Sequence, residues 1–319
     1  LENKKIKMKI VFLDAATMGP MPELDKLRSL GNVTFYDHTM PLQVLDRVQG
    51  ASVIITNKVV LSAEMLKQLP TLKLICVAAT GMNNIDLSAA ADLNIQVKNV
   101  KGYSTASVVQ LTFGVLLELL YNLPYYHSYV QSGEYSNQPL FTHIGPDLIE
   151  LEGKTMGIIG MGAIGRGVAK VAEAFGMKIL YYSSSGKNTN AGYPMVSLND
   201  LAQLSDVVSI HAPLNEQTKG LINSTFFKCM KSSAVLINMG RGGIVVEEDL
   251  INALESKIVY GAALDVFEQE PLKKGHPLIE ASKVYRLLLT PHIAWAGYPA
   301  RVRLIEGIIH NIKESKITS

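Results

Sequence analysis

Eleven short apolar runs, most of them without polar alternation, set the strongest limit on what this chain folds into. They are KIVFLDA (9–15), VTFY (33–36), SVIIT (52–56), LKLICVAA (72–79) and IQVKN (95–99), followed by TMGIIG (155–160), KILYYS (178–183), DVVSIHA (206–212), AVLINM (234–239), YGAALDVF (260–267) and YRLLLT (285–290). A strand that does not alternate is covered on both faces, as in a parallel sheet. Segments of helical periodicity lie between many of the runs, among them 104–121, 163–175 and 247–256. This alternation predicts an α/β chain of doubly wound parallel sheets.

Two sheets are expected. The first five runs end by residue 99, and a fresh series begins at Thr155. Between them, the helix 104–120 is apolar nearly all round, so it is buried or packs on a partner chain. Segment 133–150, GEYSNQPLFTHIGPDLIE, has no clear period and reads as a long arm or loop. A last helix at about 299–314 follows the second sheet and is expected to pack back on the first domain. The domains are therefore placed at 1–101 plus 298–319, discontinuous, and at 102–297.

With 319 residues the chain is long enough for two cores. The formal net charge of +2, from 30 basic and 28 acidic residues, gives no footprint for nucleic acid or a membrane surface. No run reaches the roughly 18–20 apolar residues of a membrane-spanning helix. The early run IVFL stops at Asp14, too short for a signal peptide, and Met8 reads as a natural start preceded by a tag remnant. Cys76 and Cys229 lie in apolar surroundings and read as reduced thiols, which places the chain in the cytoplasm. No metal site is read.

The segment TMGIIGMGAIGRGVAKVAEAF carries Gly160, Gly162 and Gly165 in G-x-G-x-x-G spacing, after a strand and at the start of a helix. That context suits a dinucleotide: Gly160 for the tight turn, Gly162 for close approach of a pyrophosphate, Gly165 for packing of helix on strand. The helix N-terminus adds N–H donors and partial positive charge. A plain glycine turn is the bland alternative. The next strand ends at Ser183, 18 residues after Gly165, where an NAD-binding chain usually carries an acid about 20 residues on. Ser183 removes the acid's repulsion of a 2′-phosphate, and Ser183, Ser184, Ser185 and Lys187 offer donors to one. NAD or NADP is therefore expected, with dual use set against a merely relaxed NAD site.

Three more candidate sites follow later strands: Arg241 after AVLINMG, Asp265 with Glu270 in LDVFEQEPL, and His292 after YRLLLTP. Singly, each also reads blandly, as a surface cation, a loop acid or a satisfied histidine. Together they form a reaction set at the carboxyl ends of strands, where ligands bind in open α/β sheets. Hydride transfer to a 2-oxo acid asks for a cation fork on the carboxylate, a general acid for the developing alkoxide, and a carboxylate that fixes the imidazole. Arg241, His292 and Glu270 suit these parts in turn.

The motifs GMGAIG, HAPLNEQTKGLI, LINMGRGGIV, LDVFEQEPL and TPHIAWA, in this order, resemble the D-isomer-specific 2-hydroxyacid dehydrogenase family. AATGMNNIDL and GYSTASVVQLTFGVLL extend the resemblance over essentially the whole chain, and TNKVVL, AATGMNN, GYSTASV and PHIAWA bring it nearest the glycerate dehydrogenase/hydroxypyruvate reductase branch. The resemblance implies a Rossmann-type nucleotide domain and a flavodoxin-like substrate domain with a cleft between. It implies Arg241, Glu270 and His292 as the catalytic set and Thr80 and Gly81 as backbone donors to the substrate carboxylate. It implies Ala163 and Ile164 at the pyrophosphate turn, and Thr105, Ala212, Pro213, Met239, Gly240, Asp265 and Trp295 along the cofactor, with Asp265 accepting from the nicotinamide amide. Asn57, Met82 and Trp295 are candidates for substrate side-chain contacts. The family's usual assembly, a homodimer, would use helix 104–121 and segment 133–150. The implied activity is reduction of small 2-oxo acids such as hydroxypyruvate or glyoxylate. A dinucleotide-sensing co-repressor and phosphoglycerate dehydrogenase remain as alternatives; no appended regulatory domain or extra basic cluster favours the latter.

Overall fold

A computed structural model describes residues 8–186, 192–315 and 317. Each of the eleven apolar runs contains a strand. The first five are β1 (Lys9–Phe12), β2 (Asn32–Phe35), β3 (Val53–Thr56), β4 (Leu74–Val77) and β5 (Gln96–Asn99). They pair in parallel in the order β2-β1-β3-β4-β5, the flavodoxin-like winding. All four residues of β3 and of β4 are buried, which is why their sequences do not alternate. On one face Val11, Leu13, Ile54, Ile75 and Val77 pack with Val44, Val48, Leu66 and Ala90. The last helix, Tyr298–Glu314, lies against β4 and β5. Gly307 lets it approach, because a Cβ there would sit 2.6 Å from Val100 Cγ1. Arg303 Nε donates to the Tyr103 carbonyl at 2.9 Å, and Asn311 Nδ2 to the Asn99 carbonyl at 3.0 Å. The first compact unit accordingly comprises the chain up to Ser104 and from Ala296 onward.

The second unit, Thr105–Trp295, holds β6 (Thr155–Ile159), β7 (Lys178–Tyr182), β8 (Val207–Ile210), β9 (Val235–Asn238), β10 (Gly261–Leu264) and β11 (Leu287–Leu289). All are parallel, in the order β11-β10-β9-β8-β6-β7. Successive side chains go to opposite faces. Met156 and Ile158 join a core with Val108, Leu116, Val168 and Ala172 from the helices Thr105–Tyr121 and Ala163–Ala174. Ile159, Val208, Ile210 and Leu236 join the opposite core with Leu201, Phe226, Leu250 and Leu278. The all-round apolar helix 105–121 is thus explained in part by burial within its own unit. The run YGAALDVF is a strand only to Leu264, because Asp265 turns its carboxylate to loop donors.

Segment 133–150 contains one 3₁₀ turn, Glu134–Asn137, and otherwise no helix or strand. It is preceded by a helix, Leu123–Gln131, that the sequence pattern did not reveal. This helix starts after Asn122 in the left-handed region (φ 48°) and buries none of its residues, so Leu123 and Val130 stay exposed. The arm folds back on that helix: the His143 ring stacks on Tyr129 at 3.8 Å between centroids, and Tyr126 Oη donates to the Pro146 carbonyl at 2.8 Å. Among the described residues no single helix is long and apolar enough to cross a membrane, and only the bent pair 105–121 and 123–131 together reaches that length.

Candidate active site

The second sheet delivers the residue after each strand to the same end of the sheet. These are Gly160 after β6, Ser183 after β7, His211 and Ala212 after β8, Met239 after β9, Asp265 after β10 and Thr290 after β11. The three glycines of the β6 turn have different reasons to be there. Gly160 has φ 96° and a Cβ would lie 2.7 Å from the Ala212 nitrogen, so the chain itself demands glycine. Gly165 would place a Cβ 2.3 Å from the Gly160 carbonyl oxygen, which sets helix 163–174 directly on the turn. Gly162 has nothing within 4 Å and no positive φ, so its own chain makes no such demand. Its bare backbone faces open space beside a helix start. The first bond of that helix runs from the Arg166 N–H to the Gly162 carbonyl, 3.0 Å, and no side chain caps it. The N–H groups of Ala163, Ile164 and Gly165 are the orphan donors of a helix N-terminus, with the partial positive charge that favours an anion.

At the end of β7, Ser183 Oγ is buried without a hydrogen-bond partner among the described residues. The chain then turns, with the Gly186 N–H donating to the Ser183 carbonyl at 3.2 Å. Lys187, the cation considered from the sequence, lies outside the described residues. After β8, His211 Nε2 pairs with Ser209 Oγ at 2.8 Å while Nδ1 is buried and unpartnered. Burial alone drives this imidazole down to about 3, so it is neutral at physiological pH. Ala212 and Met239 are buried and Pro213 is exposed on the same rim, while Thr105 opens helix 105–121. Orphan amides at a helix start, an open glycine and an orphan buried hydroxyl at the ribose position together fit a dinucleotide.

Three adjacent strands, β9, β10 and β11, carry the candidate reaction groups. Asn238, the last residue of β9, is fully buried. Its Oδ1 accepts from the Gly240 N–H at 3.0 Å and its Nδ2 donates to the Arg241 carbonyl at 2.9 Å. This clasp fixes the backbone from which Arg241 projects. Gly242 then packs against the next loop so closely that a Cβ would fall 1.9 Å from the Phe267 carbonyl carbon. Arg241 Nη1 donates to the Gly240 carbonyl at 2.8 Å, and among the described residues no carboxylate pairs with the guanidinium. A half-buried cation without a counter-ion is ready for an anionic ligand.

Glu270 and His292 meet. Glu270 Oε2 lies 2.7 Å from His292 Nδ1, and Glu270 Oε1 accepts from the Phe267 N–H at 3.1 Å. The contact assigns the proton to Nδ1 in the neutral ring and leaves Nε2 on the other side. Asp265 is 1 % exposed and accepts from Thr290 Oγ1 (2.6 Å), the Ile293 N–H (2.8 Å) and the Ala294 N–H (2.9 Å). Burial pushes its carboxyl above the ordinary value against the pull of those donors and of His292. Oδ2 takes only one of the three bonds, so it keeps acceptor capacity for a further donor. Trp295 is half-buried just beyond this segment.

Thr80, Gly81, Asn57 and Met82 belong to the first unit. Thr80 and Gly81 follow β4, where Thr80 Oγ1 donates to the Val100 carbonyl at 3.1 Å. Their own N–H groups find no acceptor among the described residues. Asn57 follows β3 in a loop tied by Asp14, whose carboxylate accepts from the N–H groups of Asn57 (2.8 Å) and Lys58 (2.7 Å). Sequence reasoning passed over Asp14, Asn238 and Thr290. A polar residue at the very end of an apolar run was the available signal for each.

The family model described as "D-isomer specific 2-hydroxyacid dehydrogenase, NAD binding domain" matches residues 113–294, more than half the chain. A hydroxypyruvate reductase of Blautia hydrogenotrophica is 37% identical over 316 residues, covering 96% of each chain. A glycerate dehydrogenase of Methylorubrum extorquens is 36% identical over 96% of this chain and 95% of its own. The structure of an NADPH-dependent glyoxylate/hydroxypyruvate reductase from Sinorhizobium meliloti, solved with NADP and malonate, superimposes with a TM-score of 0.82 at 26% identity, over 96% of this chain and 92% of that one.

Proposed function

The chain belongs to the D-isomer-specific 2-hydroxyacid dehydrogenase family, close to its glycerate dehydrogenase/hydroxypyruvate reductase branch, and on that footing we propose how its own residues divide the work. It is an NAD(P)-dependent oxidoreductase of small 2-oxo and 2-hydroxy acids. The preferred substrates are hydroxypyruvate and glyoxylate. The observation that carries the assignment of roles is the Glu270–His292 pair, 2.7 Å apart, on a strand end next to the unpaired charge of Arg241.

The guanidinium of Arg241 holds the substrate carboxylate and polarises the neighbouring carbonyl. The Thr80 and Gly81 N–H groups assist on the carboxylate. When bound, the nicotinamide supplies or takes the hydride at C2 of the substrate. His292 donates its Nε2 proton to the oxygen as negative charge develops there, and in the reverse direction accepts it. Glu270 holds Nδ1–H, which keeps the ring in one orientation and stabilises its charged form. The first-turn amides at Ala163 and Ile164 hold the pyrophosphate, with Gly160, Gly162 and Gly165 shaping the turn. Ser183 receives the adenosine ribose. Ala212, Pro213, Met239 and Gly240 line the path between, Thr105 and Trp295 flank it, and the spare acceptor of Asp265 takes the carboxamide N–H.

In the same proposal residues 1–101 with 298–319 form the substrate domain and 102–297 the nucleotide domain. Two copies associate through helix 105–121 and the arm, where Leu140, Phe141 and Ile144 stand 66%, 90% and 79% exposed. Large apolar side chains left this exposed support an interface there. Cytoplasmic residence is supported by the two unpaired thiols.

The test is oxidation of NADH and NADPH at 340 nm with a panel of 2-oxo acids, for wild type and His292→Gln. The variant is expected to lose about 10²–10⁴ in kcat, the usual reach of general acid catalysis, while still binding cofactor. Retention of more than about half the wild-type kcat, with chemistry rate-limiting, refutes the role of His292.

A further inference from the structure

The backbone of His292 is held as tightly as its ring. Its φ is 54°, the left-handed region that a residue with a Cβ rarely enters. Such a conformation persists only where the surroundings impose it. Here the imposing group is Asp265. Its three donors are Thr290 Oγ1 at 2.6 Å, the Ile293 N–H at 2.8 Å and the Ala294 N–H at 2.9 Å. One precedes His292 and two follow it, so a single carboxylate draws both sides of the residue toward itself. The His292 N–H also folds back on the Thr290 carbonyl at 3.0 Å. Ser107 Oγ donates to the Ala294 carbonyl at 2.6 Å and pins the far end of the segment. The turn between those anchors has only Pro291 and His292 to make it, and the left-handed His292 completes it.

We propose that Thr290 and Asp265 are positioning residues for proton transfer: a clamp that fixes the backbone of His292 so that Nδ1 meets Glu270 and Nε2 is left for the substrate oxygen. The inference rests on His292 being the acid–base group of the reaction. Two features separate it from ordinary packing. Among the described residues, every hydrogen bond of the Asp265 carboxylate goes to one five-residue segment with His292 at its centre. Asp265 and Glu270 also leave the same strand end, so the anchor of the backbone and the anchor of the ring share one origin. Thr290 contributes the one side-chain donor of the clamp, and among the described residues its hydroxyl hydrogen-bonds neither the His292 ring nor Glu270. A change there reaches the proton transfer through the placement of His292, and any effect through Asp265 on the cofactor shows separately, as a change in KM for NAD(P)H.

Thr290→Val keeps the shape and removes the donor; Thr290→Ser keeps the donor. Thr290→Val is expected to lower kcat about 10–100-fold, with KM for NAD(P)H and for the 2-oxo acid within about twofold, because misplacement of a reacting group acts on the transition state rather than on binding. Thr290→Ser is expected to return kcat to within about threefold of wild type. The limb of the kcat–pH profile that disappears in His292→Gln is expected to shift in Thr290→Val and to stay in place in Thr290→Ser. A folded Thr290→Val with wild-type kcat overturns the clamp, and so does an equal loss in the Val and Ser variants. If Thr290→Val does not fold, Thr290→Cys, with its weaker donor, is expected to fall between Ser and wild type on one side and complete loss on the other; wild-type kcat in that variant also overturns it. Failure of wild type on every 2-oxo acid refutes the functional reading instead, whereas an active wild type with an inactive His292→Gln and an unaffected Thr290→Val refutes only the clamp.

Discussion

In the proposed reading, cofactor choice turns on Ser183 at the end of β7. Ser183→Asp restores the acid that NAD-binding chains usually carry there. In the structure Ser183 Oγ is buried and has no hydrogen-bond partner among the described residues. The hydroxyl therefore stands ready for a ligand, and a carboxylate in its place would be poorly solvated. Two unit charges about 4 Å apart at an effective dielectric of about 20 repel by about 4 kcal/mol, which is close to a thousandfold in binding at about 1.4 kcal/mol per decade. Ser185 and Gly186, directly beyond, are exposed, so solvent and salt weaken the repulsion. The expected loss in kcat/KM for NADPH is about 10²–10³-fold at low ionic strength, shrinking as salt is added. NADH has no 2′-phosphate, and its ribose hydroxyls gain an acceptor, so its kcat/KM is expected to stay within about tenfold. Steady-state rates at 340 nm with both cofactors, at two ionic strengths and saturating 2-oxo acid, measure the difference. Equal losses for the two cofactors would refute the reasoning. So would a wild-type enzyme that already prefers NADH by more than about a hundredfold.

The glycines of the β6 turn separate fold from function. Gly162→Ala, with open space around it, is expected to leave Tm within about 2 °C and to raise KM for the cofactor at least about tenfold, whereas Gly165→Ala, facing the Gly160 carbonyl oxygen at 2.3 Å, is expected to destabilise the unit by more than about 1 kcal/mol. A thermal melt with cofactor titration decides, and unaltered cofactor binding by Gly162→Ala counts against the pyrophosphate site. Arg241→Lys keeps the charge and loses the planar fork, so KM for the 2-oxo acid is expected to rise with little change for the cofactor; the reverse pattern moves Arg241 to the cofactor side. For Asp206, burial opposes the charge, but the Thr155 N–H at 2.8 Å and Lys231 Nζ at 2.9 Å outweigh it and hold the carboxyl below its ordinary value. A depressed carboxyl contributes stability above its unfolded pKa and loses it as the pH falls through the folded one. Asp206→Asn is therefore expected to cost about 1 kcal/mol at pH 7, after solvent screening of the pair, or about 2–4 °C in Tm. The gap to wild type closes below about pH 4, and a gap that widens from about pH 5 to pH 3 contradicts the linkage.

How far the sequence discloses this molecule follows from the range of the forces involved. The strands were legible because burial on both faces leaves a continuous apolar run, and β3, β4, β8 and β9 are buried at every residue. The placement of the proposed reaction groups was legible because a parallel sheet sends every strand's next residue to the same end, so Arg241, Asp265 and His292 could be put on one rim from their positions after apolar runs. Helix 123–131 was not, because it is only nine residues long and rich in Tyr, His, Ser and Val, which are modest helix formers. The clamp was not legible either. Asp265 reads in the sequence as one more strand-end acid, and its bonds to residues 25, 28 and 29 positions later obey no local spacing. The same holds for Asn238, whose burial inside an apolar run is visible but whose clasp on Gly240 and Arg241 is a matter of side-chain direction. Periodicity records which side of an element meets the core. It does not record which buried oxygen closes which loop, and in this protein those closures set the backbones of Arg241 and His292. Two buried polar residues at the ends of β9 and just beyond β10 thus determine where the charged groups stand, so substitutions at Asn238 and Thr290 should alter turnover without touching a single charge.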